Sequence, residues 1–394
     1  MITVREINTE SEFRQLRDAW EDAISRSNNH HCLFLSWEWL YSWWRVYGDD
    51  GRTLFILVAR DDDGVLLGIA PLLLRRATLF GLKTWTVLEF LGSGEDPKEK
   101  VCSEYLDFIV CRGREEEVMK AFFAYLGEQV CRWDVFSLES VLEYSHAVRF
   151  LHLLEKQHAL YIMRCSNNGQ GYNYMSLTGS WEDLLQSYRA SGRCLYTAIR
   201  RKRRALETCG TIEIGEVRDE NELDAVMDRL IHLHQLKWNA VGKPGSFRSE
   251  RFTRFHRTVA PLLLKKGRLI LPHLKVNGTI QACMYVFTYN GRSFYYQTGY
   301  NPHFPSKFSP GFTLFTYFLE RSVQRGTREL EFLRGECHYK NRWSGQKRRV
   351  YELLITRKEP GGMFFIARTR AERAIRGAAR KLLRENRPVT ARNV

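Results

Sequence analysis

No apolar run in this chain is long enough to cross a bilayer: the longest nearly unbroken stretch, Leu66 to Leu74, falls far short of the ~20 residues that a spanning helix needs. No Cys-x-x-Cys pair occurs. The nine cysteines, an odd number, are scattered from Cys32 to Cys337, which argues against a disulfide framework or a structural zinc site and points to a reducing cytoplasm. No basic segment followed by a short apolar one opens the chain, so no secretory signal is expected. His30-His31-Cys32 has metal-ligating side chains, but three adjacent residues cannot all point at one ion without strain, and no metal is expected. Acid is scarce. Asp and Glu number 45 against 60 Lys and Arg, a formal charge of +15 at pH 7.

What is present is a large apolar complement. Of 394 residues, 44% are hydrophobic and 13% aromatic, enough for an ample core and inconsistent with a disordered or fibrous chain. At roughly 150 residues per domain the length allows two or three. The positive excess sits in two segments. Arg193, Arg200, Arg201, Lys202, Arg203 and Arg204 occur in one stretch with no acid among them. The C-terminal tail carries nine basic residues from Arg368 to Arg392 against Glu372 and Glu385. Such clusters attract polyanions, or simply form solvated helix faces.

The pattern along the chain predicts two α/β halves of similar plan. In the first, residues 1–165, a strand over Ile2–Ile7 precedes a helix to about Ile24, opened by a Thr9/Glu12 capping box. A helix over Trp37–Tyr47 follows, its Trp39, Leu40, Trp43 and Trp44 at core spacing. Strands are expected at Leu54–Ala59, Leu66–Leu74, Trp85–Phe90 and Tyr105–Val110, then a helix Glu115–Glu128, a strand Val135–Leu138 and a helix from Ala147. Ser166 to Gly171 reads as the linker. The second half, residues 172–358, holds helices opened by Ser180/Asp183 and Asp219/Glu222 and a basic helix over Arg193–Glu207. Its three strands from Leu269 to Thr298 are joined by Asn277-Gly278 and Asn290-Gly291, strong hairpin signals. Residues 359–394 form a basic tail, with Ala371 to Leu383 spaced as an amphipathic helix suited to docking on its own domain or on anionic lipid.

Tyr295 to Arg342 carries the chemistry. It reads as strand, loop, helix, strand, loop. The helix opens Ser309-Pro310-Gly311, an N-cap residue, a first-turn proline and a glycine that admits close approach, followed by Phe312. A helix amino terminus of this kind attracts anions such as a pyrophosphate. After the return strand, Arg334 to Trp343 packs Glu336, Cys337, His338, Tyr339, Lys340 and Arg342 together. That set could supply a proton acceptor, a proton donor and phosphate ligands for acyl transfer.

The pattern Phe34-x-Ser36-x-Glu38-Trp39-Leu40 with Trp43-Trp44, then Gly299-Tyr300-Asn301-Pro302, Ser309-Pro310-Gly311 and Gly335…Tyr339-Lys340, resembles the GNAT-superfamily acyltransferases of the CelD/BcsL (BioF-like) group, relatives of Fem-type transferases. The resemblance covers about residues 1 to 358. It implies two tandem GNAT-like domains, each a largely antiparallel mixed sheet flanked by helices, with an acyl-CoA (acetyl-CoA) site and no metal in the second. Ser309, Pro310 and Gly311 then match the pyrophosphate-binding helix start, and Tyr339 and Lys340 match a Tyr-Lys pair after the return strand; the Gly311 and Phe312 amides are expected to take the pyrophosphate, and Lys340 or Arg342 to hold phosphate or an acidic acceptor. Glu336 stands where the family has Asp and is the base, with His338 the alternative. Asn301 replaces another family Asp. The function implied is transfer of an acyl group from acyl-CoA to an amine or hydroxyl of a small molecule or of a cell-envelope or polysaccharide precursor. The alternatives are a Fem-like transferase that uses aminoacyl-tRNA, and a non-catalytic binder of polyanions or membrane surfaces. A cytoplasmic protein is expected, able to touch the inner membrane face or tRNA through its basic segments, with no stable DNA binding.

Overall fold

A computed structural model describes the chain except residues 30–31, 50, 80–82, 154–159, 167–170, 192–193, 336–337 and 372–394. The first half builds strands β1 (Thr3–Ile7), β2 (Arg52–Leu54), β3 (Ile56–Arg60), β4 (Leu66–Ala70), β5 (Leu72–Leu79), β6 (Lys83–Phe90), β7 (Ile109–Val110), β8 (Val135–Leu142) and β9 (Leu160–Ser166). Its helices are α1 (Glu10–Gln15), α2 (Arg17–Arg26), α3 (Trp37–Tyr47), α4 (Glu115–Glu128) and α5 (His146–Arg149). The second half adds β10 (Tyr172–Ser176), β11 (Ile212–Glu216), β12 (Leu269–Ile270), β13 (Pro272–Val276), β14 (Thr279–Tyr289), β15 (Arg292–Tyr300), β16 (Glu329–Glu331) and β17 (Lys347–Arg348). With them come α6 (Trp181–Ala190), α7 (Leu195–Glu207), α8 (Glu220–Asn239), α9 (Glu250–Lys265), α10 (Pro310–Gln324) and α11 (His338–Trp343). Strand β18 (Val350–Arg357) closes the series.

Local signals place most of these elements. The Thr9 hydroxyl accepts the Glu12 amide, and Ser180 and Asp183 form a reciprocal capping box. Asn277-Gly278 and Asn290-Gly291 all have positive φ, the backbone that a two-residue hairpin turn requires. Several expectations needed revision, among them these. The first helix breaks at Leu16 into α1 and α2. The strand expected over Tyr105–Val110 shrinks to β7, because Tyr105 sits at φ 61 and leaves the extended path. The basic helix starts only at Leu195, and Arg193 lies outside the described residues.

The two halves share one strand plan and exchange a strand. In the second sheet the order is β11-β13-β14-β15-β16-β10-β17, with β15 and β16 parallel across α10. The first half has two sheets, β1-β3-β4-β7 and β2-β5-β6-β8-β18-β9, and in the six-stranded one β6 and β8 are parallel across α4. The strand after each parallel partner comes from the other end of the chain. β10 follows directly on β9 but lies between β16 and β17, while β18 follows on β17 but lies between β8 and β9. Residues 350–357, assigned by the sequence to the second half, are therefore built into the sheet of the first.

Packing reinforces the interlock. Phe34 and Trp39, in the motif that leads into α3, meet second-half rings: Phe34 on Phe294 at 5.6 Å, Trp39 on Phe255 and Phe287 at 4.9 and 5.3 Å. The Glu38 carboxylate is fully buried and pairs with Arg268 and Arg17, each at 3.2 Å. The motif thus welds the halves together. A second core, on the opposite face of the second sheet, gathers Leu314, Phe315, Phe318 and Leu319 of α10 with Met284, Leu330 and Phe332. Residues 360–371 are helical and dock Phe365 and Ile366 beside Trp85, Val135 and Leu354, so the described start of the tail packs on its own fold. The rest of the amphipathic segment lies outside the described residues.

Candidate active site

The second sheet opens where β15 and β16 part. Their parallel pairing spans only Arg292↔Glu329, Ser293↔Leu330 and Phe294↔Glu331. Beyond β16 the Phe332 amide donates to the Asn173 carbonyl at 2.9 Å, which draws the chain toward β10 and away from β15. From Tyr295 to Tyr300, β15 has no strand on this edge among the described residues. On its other edge the register with β14 shifts between Tyr285 and Val286, so Tyr296 is an extra, bulged residue. A gap between β15 and β16 results, at the switch point of the sheet.

Helix α10 begins at the mouth of this cleft. Ser309 does not cap it: its φ of 43 is left-handed, and its hydroxyl donates to the Ser306 carbonyl and accepts from Lys202 Nζ at 2.5 Å. No side chain among the described residues takes the first-turn amides, which leaves the positive end of the helix open. Gly311 is required here, because a Cβ would come within 2.8 Å of the Tyr300 ring. Cations gather beside it. Burial and the neighbouring charges of Arg201 and Arg342 pull the Lys202 ammonium below its usual range, and the Arg342 guanidinium stands 5.8 Å from the Phe312 ring centre. Such a cluster is relieved by an anion.

The loop after β16 supplies the far wall. Leu333 (φ 58) and Gly335 (φ 99) turn it back toward α11. Lys340 Nζ donates to the carbonyls of Leu333 and Arg334 at 3.0 and 2.6 Å, so its amine pins the turn. The stretch read as a loop closes in the short helix α11, which sets Tyr339 among Tyr295, Phe315, Phe332 and Trp343, ring centres 5.9 to 6.5 Å away. Phe312 packs on Trp343 at 5.2 Å. The predicted residues Ser309, Pro310, Gly311 and Phe312 thus stand at the start of α10 and Tyr339, Lys340 and Arg342 in α11, and the two elements meet through Phe312–Trp343, Phe315–Tyr339 and Arg342–Phe312. Glu336 and Cys337 lie outside the described residues, as does the side chain of His338.

Sequence reasoning left α8 out of the site. Lys237 Nζ donates to the Thr298 carbonyl at 2.7 Å, and Trp238 Nε1 donates to His234 Nε2 at 2.9 Å, where Gln297 Oε1 also comes within 3.0 Å. Gly299 permits this contact: a Cβ there would lie 2.6 Å from the His234 amide nitrogen. Burial pushes the His234 imidazole down to about 4, so it is neutral at pH 7. Nothing local to Lys237-Trp238 or Gly299 in the sequence shows that α8 and β15 meet there.

Comparison with known proteins agrees with the fold. Residues 195–341, from α7 through most of α11, match the model of the acetyltransferase (GNAT) domain, and this part of the chain has the GNAT acyltransferase fold. The crystal structure of FemX superposes with a TM-score of 0.57 at 11% identity, covering 89% of this chain and 96% of that one. A conserved protein of unknown function from Bacteroides thetaiotaomicron gives 0.52 at 13% identity, over 90% and 100%. The C-terminal domain of a putative lysylphosphatidylglycerol synthetase from Agrobacterium fabrum gives 0.51 at 10% identity, over 92% and 96%. These likenesses concern the fold. No curated protein matches the chain. Among the described residues no helix is long and apolar enough to cross a membrane, and no group of acidic, His or Cys side chains is arranged to hold a metal ion.

Proposed function

We propose that this chain transfers an acyl group, with acetyl the first candidate, from acyl-CoA to an amine or hydroxyl acceptor. The observation that carries the reading is the open amino end of α10, ringed by Lys202 and Arg342, at the mouth of the gap between β15 and β16. The diphosphate would lie on the Gly311 and Phe312 amides with Lys202 and Arg342 beside it. The pantetheine arm would run along β15 beyond the point where β16 parts from it, where backbone amides of the strand would bond the arm and receive the negative charge that develops on the thioester oxygen.

In this mechanism the acceptor lone pair attacks the thioester carbonyl carbon, the tetrahedral intermediate collapses, the C–S bond breaks and the acceptor proton passes to Glu336. Tyr339 donates its phenolic proton to the departing thiolate. Lys340 holds the turn at Leu333 and Arg334 that leads into this segment and serves as a positioning residue. Tyr339→Phe and Glu336→Gln should each lower transfer ~10²-fold while leaving acetyl-CoA binding intact. If both variants stay within about threefold of wild type, these roles are wrong.

The exposed arginines of α7 favour a second reading, in which the acyl donor is aminoacyl-tRNA. Arg200, Arg201 and Arg204 lie on one helix with no acid nearer in sequence than Glu207. Tight tRNA binding that weakens steeply with salt, with no saturable rise in melting temperature on adding acetyl-CoA, would select that donor.

A further inference from the structure

Glu104 belongs to the first half, yet it faces the loop that carries the proposed acid and base. Its side chain is 1% exposed, and both carboxylate oxygens lack a hydrogen bond. The closest cation, Arg334 Nε, stands 3.6 Å from Oε1, beyond hydrogen-bond reach. Arg334 is committed elsewhere: Nε donates to the Tyr172 hydroxyl at 3.0 Å and Nη2 to Ser140 Oγ at 2.8 Å. The other nearby cation, Lys100, is paired with Glu139. Arg334 balances the charge of Glu104, but among the described residues no group donates a hydrogen bond to it, and a buried carboxylate without a donor is costly, so a bound donor would relieve it. The backbone around it is strained as well. Cys102, Tyr105, Ser140 and Leu333, all close to this pair, have φ of 58, 61, 54 and 58.

We infer that Glu104 and Arg334 form an acceptor subsite for a neutral polyhydroxyl group, such as a sugar ring. The inference rests on the acyl-transfer reading for its place in the reaction, since Arg334 opens the loop that leads through Glu336 to Tyr339. Charge selects the ligand class. Glu104 and Arg334 together are neutral, so an ammonium would be repelled by the guanidinium and a phosphate or carboxylate by Glu104. A hydroxyl avoids both penalties by donating to Glu104 and accepting from Arg334. The guanidinium also holds the hydroxyls of Tyr172 and Ser140, which bond each other at 3.1 Å. Because β10 brings Tyr172 into the second sheet and β8 brings Ser140 from the first, the subsite exists only when both halves are assembled.

The test is saturation-transfer NMR on the full chain with acetyl-CoA present, using methyl α-glucoside as the probe and tetrahydropyran, its ring without hydroxyls, as the control. Wild type should transfer saturation to the glucoside and not to tetrahydropyran. Glu104→Gln should weaken the glucoside signal about tenfold, as should Arg334→Lys, which keeps the charge but loses the fork that holds Tyr172 and Ser140. Acetyl-CoA affinity, read in the same samples, should not change and reports that the variants are folded. No glucoside signal from wild type, or a signal that survives both substitutions, overturns the subsite. Failure of wild type to bind acetyl-CoA would instead overturn the acyl-transfer reading beneath it.

Discussion

Two side chains carry predictions at the residue level. Lys202 bridges Ser306 and Ser309 while its charge is already disfavoured by Arg201 and Arg342. A bound diphosphate would reverse that penalty. Lys202→Met should therefore weaken CoA binding about tenfold by calorimetry, the size of one charge-assisted bond, and leave pantetheine, which lacks the diphosphate, unaffected. An equal loss for both ligands would place Lys202 in a purely structural role. His234 titrates from 6.5 in the unfolded chain to about 4 in the buried site. The unfolded state binds the extra proton between these values, so the stability gained from a neutral His234 is complete above pH 6.5 and is lost as pH falls toward 4. Its contribution is about 3 kcal/mol. His256, also fully buried and pushed well down, acts in the same direction. Melting temperatures measured from pH 7.5 to 4.5 should drop steeply, and His234→Asn should flatten the curve. An unchanged slope in the variant would contradict the assignment.

Elements show where local chemistry suffices and where it does not. Helix α4 spans the residues its apolar spacing predicts, and the two Asn-Gly turns fix the β13-β14-β15 meander, because these signals act within a few residues. The start of α10 was legible as Ser-Pro-Gly, but not the direction of the Ser309 hydroxyl, which depends on Lys202, 107 positions away. Nothing local shows that Glu104 lies buried, since its neighbours Arg334 and Tyr172 arrive from the other half. The approach of α8 to β15 likewise depends on a distant contact at Gly299. Gly299→Ala would drive a methyl group into the α8 backbone, at 2.6 Å from the His234 nitrogen and 2.7 Å from the Leu230 carbonyl oxygen. Backbone cannot yield as a flexible side chain can, so the substitution should cost about 3 kcal/mol in denaturant unfolding and disturb the cleft. A change below about 0.5 kcal/mol would mean that α8 is free to shift.

At the scale of the molecule, the strand exchange was beyond the reach of the sequence. Strands β10 and β18 look like ordinary neighbours of β9 and β17, and nothing in their residues says that they cross to the other sheet. The consequence is a chain that cannot unfold half at a time without tearing a strand from the interior of each sheet. Calorimetry should show one cooperative transition for the two sheets, and cutting within residues 167–170 should give fragments that are insoluble when made separately and recover the fold when made together. Two well-separated transitions would refute the interlock. The same assembly sets the open end of α10 beside the parted strands, and the acyl-transfer reading depends on that juxtaposition. A crystal structure with acetyl-CoA bound tests it most directly. The account predicts the diphosphate on the Gly311 and Phe312 amides beside Lys202, with the thioester between β15 and Tyr339; acetyl-CoA bound elsewhere, or a cleft filled by the chain itself, would contradict it.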